Sequence, residues 1–104
     1  MNRNIKNIAF RNMKDGSLEV DICAIPDWEG FDKLIRFLKK EYGVDVIQSF
    51  DGPDARRWIL NLKGHEFELI HHDGYGNYMV GKTLISQKLI REIGLDIEKR
   101  LETE

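Results

Sequence analysis

The chain has 104 residues, 41% hydrophobic and 33% charged, and sixteen Lys and Arg against eighteen Asp and Glu leave a formal charge of −2. That is one domain, residues 1–104, with material for a core, without the basic excess of a general nucleic-acid binder. No apolar run approaches the ~20 residues of a membrane helix, and the single cysteine, Cys23, excludes an intramolecular disulfide and a Cys-based zinc site.

The first residues, Met1-Asn2-Arg3-Asn4, lack the apolar stretch of a secretory signal, so a cytoplasmic protein is expected. Two apolar runs follow, Ile5 to Met13 and Leu18 to Ile25. In the second, Leu18, Val20 and Ile22 alternate with Glu19 and Asp21, the period of a half-buried strand. Asp15-Gly16 between them signals a hairpin. A two-residue loop would oppose Phe10 to Asp21, whereas a three-residue loop, Lys14-Asp15-Gly16, opposes Phe10 to Val20 and Ile8 to Ile22. The second register keeps each face chemically uniform and is the one expected.

Trp28, Phe31, Leu34, Ile35, Leu38 and Tyr42 recur at steps of three and four and form one apolar stripe of a helix. Asp27 suits the N-cap and Gly43 the terminator. Glu29 and Asp32 near the start and Lys39 and Lys40 near the end agree with the helix dipole. Glu29–Lys33 and Asp32–Arg36 are spaced as i,i+4 ion pairs.

Strands are expected from Val44 to Gly81. Val44, Val46 and Phe50 carry one face of the first, and Asp51-Gly52-Pro53-Asp54 turns the chain. A two-residue turn at Lys63-Gly64 then opposes Leu60 to Phe67 and Trp58 to Leu69 on a core face. The other face of that hairpin carries Arg57, Ile59, Asn61, Glu66, Glu68 and Ile70. Asp73-Gly74-Tyr75-Gly76 is a turn and Asn77 to Val80 a short last strand. A second helix runs from about Leu84 to Leu101, with Ile85, Leu89, Ile93, Ile97 and Leu101 in one row and Ile90 beside it. Thr83 or Ser86 can cap it, and Gly94 marks a close approach to the sheet or to the first helix. The order ββαββββα with short turns predicts an α+β fold: a two-layer sandwich, its mainly antiparallel sheet carrying both helices on one face.

The chemistry is sparse. His65, His71 and His72 with Asp73 raise a metal or catalytic site. However, His65 and His71 lie about 20 Å apart on an extended strand, and His72 points to the other face. Two strand-end histidines near solvent are the simpler expectation. Cys23 reads as a small buried hydrophobe. The Asp73–Asn77 glycine turn lacks a phosphate-loop fingerprint. In Arg56-Arg57-Trp58, the tryptophan falls on the core face, so it packs rather than stacks on bases. Glu66 and Glu68 sit about 7 Å apart on one strand face and are expected to be exposed. No residue argues for an enzyme, and no cofactor or metal is called for. The open sheet face, with Ile59 and Ile70 among charges and Tyr75 and Tyr78 close in sequence, has the make-up of a protein interface.

The stretch Phe67-Glu68-Leu69, Asp73-Gly74-Tyr75-Gly76-Asn77 and the helix Leu89-Ile90-Arg91-Glu92-Ile93 to Leu101 resembles small bacterial single-domain proteins. Among these are immunity proteins encoded beside contact-dependent and other polymorphic toxins. The resemblance covers about forty residues. It implies a cytoplasmic protein that neutralises a toxin by binding it, with no cofactor or turnover. The expectation is therefore a non-catalytic protein-binding domain, a monomer or homodimer, that engages neither nucleic acid nor membrane. Its contact residues would be Arg57, Ile59, Glu66, Glu68, Ile70, His72, Asp73 and Tyr75, with acidic groups steering a basic partner. The competing expectation is a small enzyme or ligand- or metal-binding domain built on His71, His72 and Asp73.

Overall fold

Six strands and two helices follow the expected order: β1 (Ala9–Asn12), β2 (Leu18–Asp21), α1 (Trp28–Tyr42), β3 (Asp45–Asp51), β4 (Ala55–Leu62), β5 (His65–His72), β6 (Gly76–Gly81) and α2 (Leu84–Glu102). They are seen in a computed structural model that describes residues 6–103. Ile5, at the start of the first expected run, and Arg3 lie outside the described residues. The strands form one open antiparallel sheet in the order β1-β2-β6-β5-β4-β3, an α+β fold. Both helices cover the same face. Phe31, Leu34, Ile35 and Leu38 of α1 and Ile90, Ile93 and Ile97 of α2 share one core with Val20, Leu60, Phe67, Leu69 and Met79 of the sheet.

Local chemistry sets most of these boundaries. Asp27 caps α1 by accepting the Gly30 N–H at 2.9 Å, and Gly43 ends it in the left-handed region at φ 72°. Thr83 and Ser86 form a reciprocal capping box at the start of α2. Phe10 pairs with Val20 across the Lys14-Asp15-Gly16 loop. Leu60 pairs with Phe67 and Trp58 with Leu69 across the Lys63-Gly64 turn. A Cβ on Gly94 would lie 2.8 Å from Val20 Cγ1 and 3.1 Å from Phe10 Cε1, so this glycine lets α2 settle on β1 and β2.

Four expectations need correction. The pairing of β3 with β4 shifts between Val46 and Gln48. The extra residue reverses the alternation, so Val46 stays on the helix side while Phe50, opposite Arg57, moves to the open face. Strand β2 stops at Asp21; Ile22 to Ile25 turn toward α1, and Cys23 is exposed rather than buried. In β2 all four residues are buried, Glu19 and Asp21 included, because β1 and β6 flank them and the Tyr75–Tyr78 pair lies close by. The buried side of α2 runs through Ser86, Ile90, Ile93, Gly94 and Ile97, while Ile85 is half exposed. The row through Ile85 diverges from the contact line because α2 meets the sheet where the glycine permits closest approach.

Candidate functional site

Strand alternation and lateral pairing build the open face as rows. One row runs Phe50, Arg57, Ile70, Tyr78, Asp21 and Ala9; the next runs Gln48, Ile59, Glu68, Val80, Glu19 and Arg11. Ile59, Ile70, Tyr78 and Val80 are partly exposed at the centre. Around them the charges are tied across strands. Arg57 makes a two-pronged bond to Glu68, Nε–H to Oε1 at 3.1 Å and Nη2–H to Oε2 at 3.0 Å, and the bond to Glu68 raises the Arg57 pKa. Lys82 Nζ approaches the same carboxylate at 3.6 Å. Shallow hollows lie on either side of the Arg57–Glu68 pair. One, of about 590 Å³, is lined by Phe50, Ile70, His72 and Tyr78; the other, of about 370 Å³, by Ile59, Glu66, Val80 and Lys82.

Toward β1 the face becomes acidic. Arg11 reaches Asp21 at 3.1 Å and Glu19 at 3.7 Å. The Tyr75 hydroxyl donates to Glu19, and its ring meets Tyr78 edge-on at 5.0 Å. The bond to Glu19, with partial burial, pushes the Tyr75 phenol up to about 12. Burial raises the Asp21 carboxyl above its ordinary range, more than Arg11 lowers it. These carboxylates went unrecognised in the sequence, where Glu19 and Asp21 read as solvent-facing alternation. Their burial depends on β6 pairing with β2, a long-range contact.

A second polar cluster lies under the covered face, at the end of the sheet where α1 begins. Asn77 Nδ2 donates to the carbonyls of Ile25 and Asp27 at 2.7 and 3.0 Å, which leaves its Oδ1 to receive His71 Nδ1–H at 2.8 Å. His71 Nε2 lies 2.9 Å from Asp73 Oδ1, and the Trp28 ring meets the imidazole edge-on at 5.3 Å. Beside it, Arg56 is 7% exposed, enclosed by Trp28, Phe31 and Trp58 with its guanidinium carbon 4.4–5.2 Å from their centroids. Arg56 bonds Asp32 at 3.0 Å and Asp51 at 3.1 Å. Asp32 thus turns to β4 for its cation. The Trp58 indole also donates to Asp51 at 2.8 Å, and this bond, with Arg56, lowers the Asp51 pKa.

Of the expected contact residues, Arg57, Ile59, Glu66, Glu68, Ile70 and His72 share the open face, and Tyr75 stands at its end, 46% exposed. Asp73 does not join them; it turns back to His71. Glu68 is not a free carboxylate, since its side chain is 13% exposed and doubly paired, whereas Glu66 is exposed. The two histidines do not share a solvent-facing site. His71 is 2% exposed with both ring nitrogens engaged, and His72 points to the opposite face. Among the described residues, no three His, Cys, Asp or Glu side chains converge as a metal-ligand group. Nor is any helix among them long and apolar enough to cross a membrane.

The fold and site define an open-faced α+β protein whose exposed sheet surface has an apolar centre and a charged rim. No family model matches the chain, and neither a curated protein nor a solved structure matches it.

Proposed function

We propose that this is a non-catalytic protein-binding domain that docks its partner on the open sheet face, and that it is an immunity protein neutralising a toxin domain. The observation that carries the reading is the cluster Ile59, Ile70, Tyr78 and Val80, partly exposed within the ring of Arg57, Glu66, Glu68, Lys82 and His72. An apolar centre supplies contact area, and a charged rim supplies register and discrimination between partners. Asp27, Asp51, Asp54 and Asp73, all exposed around the turns at one end of the sheet, favour a basic partner such as a toxin with a cationic cleft. The toxin identity rests on the resemblance of the β5–α2 segment to immunity proteins.

Co-expression with a toxin domain encoded beside its gene tests both parts of the proposal. Wild type should restore growth, while Ile59→Asp and Ile70→Asp should fold and fail to protect. Protection by both folded variants would reject the open face as the binding surface. Glu68→Lys is a poor probe, because it would set three cations together where Arg57 and Lys82 already converge.

A further inference from the structure

The sheet has two edges, and they differ. β1 has four residues, whereas β3 has seven, of which only Val46 is not exposed. Ile47 is 53% and Phe50 46% exposed. Long exposed edges recruit foreign strands unless guarded by lysine, proline, short length or a bulge. β3 contains no lysine and no proline, and its irregularity at Ile47 leaves Gln48 to Asp51 in regular register with β4. At its end the Gly52 N–H donates to the Ala55 carbonyl at 2.8 Å. Antiparallel alternation back from that bond directs the backbone groups of Phe50 and Gln48 toward β4, and those of Ser49 and Asp51 away from the sheet.

Charge selects the occupant. A second copy pairing antiparallel about the outward-facing Ser49 would set Asp51 of each chain against Ile47 of the other and gain no opposite-charge pair. A strand with basic ends and an apolar middle gains more: Asp45 lies at one end of β3 and Asp51, whose Oδ1 already accepts from Arg56 and Trp58, at the other, with Ile47 and Phe50 between them. Phe50 also lies in the row of Arg57, Ile70 and Tyr78, so one partner can cover the edge and the open face together.

We propose that the free edge of β3 is a strand-addition site, which takes an extended segment of the partner with Lys or Arg flanking an apolar centre. The proposal rests on the protein-binding reading and adds to it the mode of docking and the chemistry of the bound segment. The backbone supplies affinity, and the flanking carboxylates supply selection.

The test uses the isotope-labelled full chain and two blocked octapeptides, each with a Val-Thr-Phe-Val centre. One has two Lys at each end and the other has two Glu. Amide NMR should show the Lys peptide slowing exchange at Ser49 and Asp51 by tenfold or more and binding at least tenfold more tightly than the Glu peptide. Asp45→Lys should reverse much of that preference without altering the fold. Ser49→Pro, which removes an outward N–H, should abolish protection. Equal binding of both peptides, or unchanged exchange at Ser49 and Asp51, would overturn the proposal, as would self-association through β3 in sedimentation. Shifts confined to Ile59, Ile70 and Val80 would also overturn it while leaving the open-face reading intact. That reading stands or falls on Ile59→Asp and Ile70→Asp in the growth assay.

Discussion

Three pairs of like neighbours fall on opposite faces of the sheet: Arg56 and Arg57, Leu69 and Ile70, His71 and His72. On the helix side, Leu69 is fully buried, Arg56 is wrapped by three aromatic rings, and His71 is fixed at both nitrogens. On the open side, Ile70 is partly exposed, Arg57 forms a surface ion pair and His72 faces solvent. Composition cannot separate the members of a pair, yet a step of one residue along the strand turns a buried residue into a surface one. The covered face holds the shared core, and the open face leaves Ile59, Ile70, Tyr78 and Val80 partly exposed.

The largest break in that comparison should come from Leu69→Ala, at about 2–5 kcal/mol, whereas Ile70→Ala should cost about 1 kcal/mol or less. Denaturant unfolding of the two variants measures both. Similar losses would mean that the open face contributes to the core.

Next comes the arginine pair. Arg56→Ala removes a buried cation together with its packing against Trp28, Phe31 and Trp58 and should cost about 2–4 kcal/mol. The half-exposed carboxylates of Asp32 and Asp51 can rehydrate, which keeps the loss below the extreme for a broken buried pair. Arg57→Ala should stay within about 1 kcal/mol, as a pair with an exposed member does. Equal thermal shifts for the two variants would contradict the separation of roles.

The smallest effect sharpens the comparison by its sign. Asp51 is lowered by the Trp58 indole and Arg56. Its ionised form therefore adds stability above the ordinary carboxylate range, about 3.9, and loses it as pH falls through the depressed folded value. The advantage of wild type over Asp51→Asn should vanish in acid; it is on the order of 0.5 kcal/mol, since solvent screens this side chain. Asp21 behaves oppositely. Burial raises its pKa, so its ionisation costs the fold stability as pH rises from the ordinary carboxylate range through the raised value. Asp21→Asn should gain on wild type across that interval. Parallel slopes for the two variants in urea unfolding between pH 2.5 and 7 would show that their environments are alike.

Much of this molecule was written in local sequence. The apolar stripe from Trp28 to Tyr42, the Asp27 cap and the Gly43 terminator specify α1, because every one of those preferences is satisfied within a few residues. The hairpin registers at Lys14-Asp15-Gly16 and Lys63-Gly64 follow from keeping apolar residues on one face, and the Arg57–Ile59–Ile70 side of the open face follows with them. The order of strands was not written there. Only the return of β6 to lie beside β2 buries Glu19 and Asp21, brings Tyr75 to Glu19, and carries the local His71–Asn77 pair to the start of α1. The shift at Ile47 is likewise invisible to alternation, since one extra residue reverses Phe50 without changing composition. Periodicity reports which side of a strand is apolar. That β6 becomes the neighbour of β2, and so covers Glu19 and Asp21, is settled by contacts between residues more than fifty positions apart.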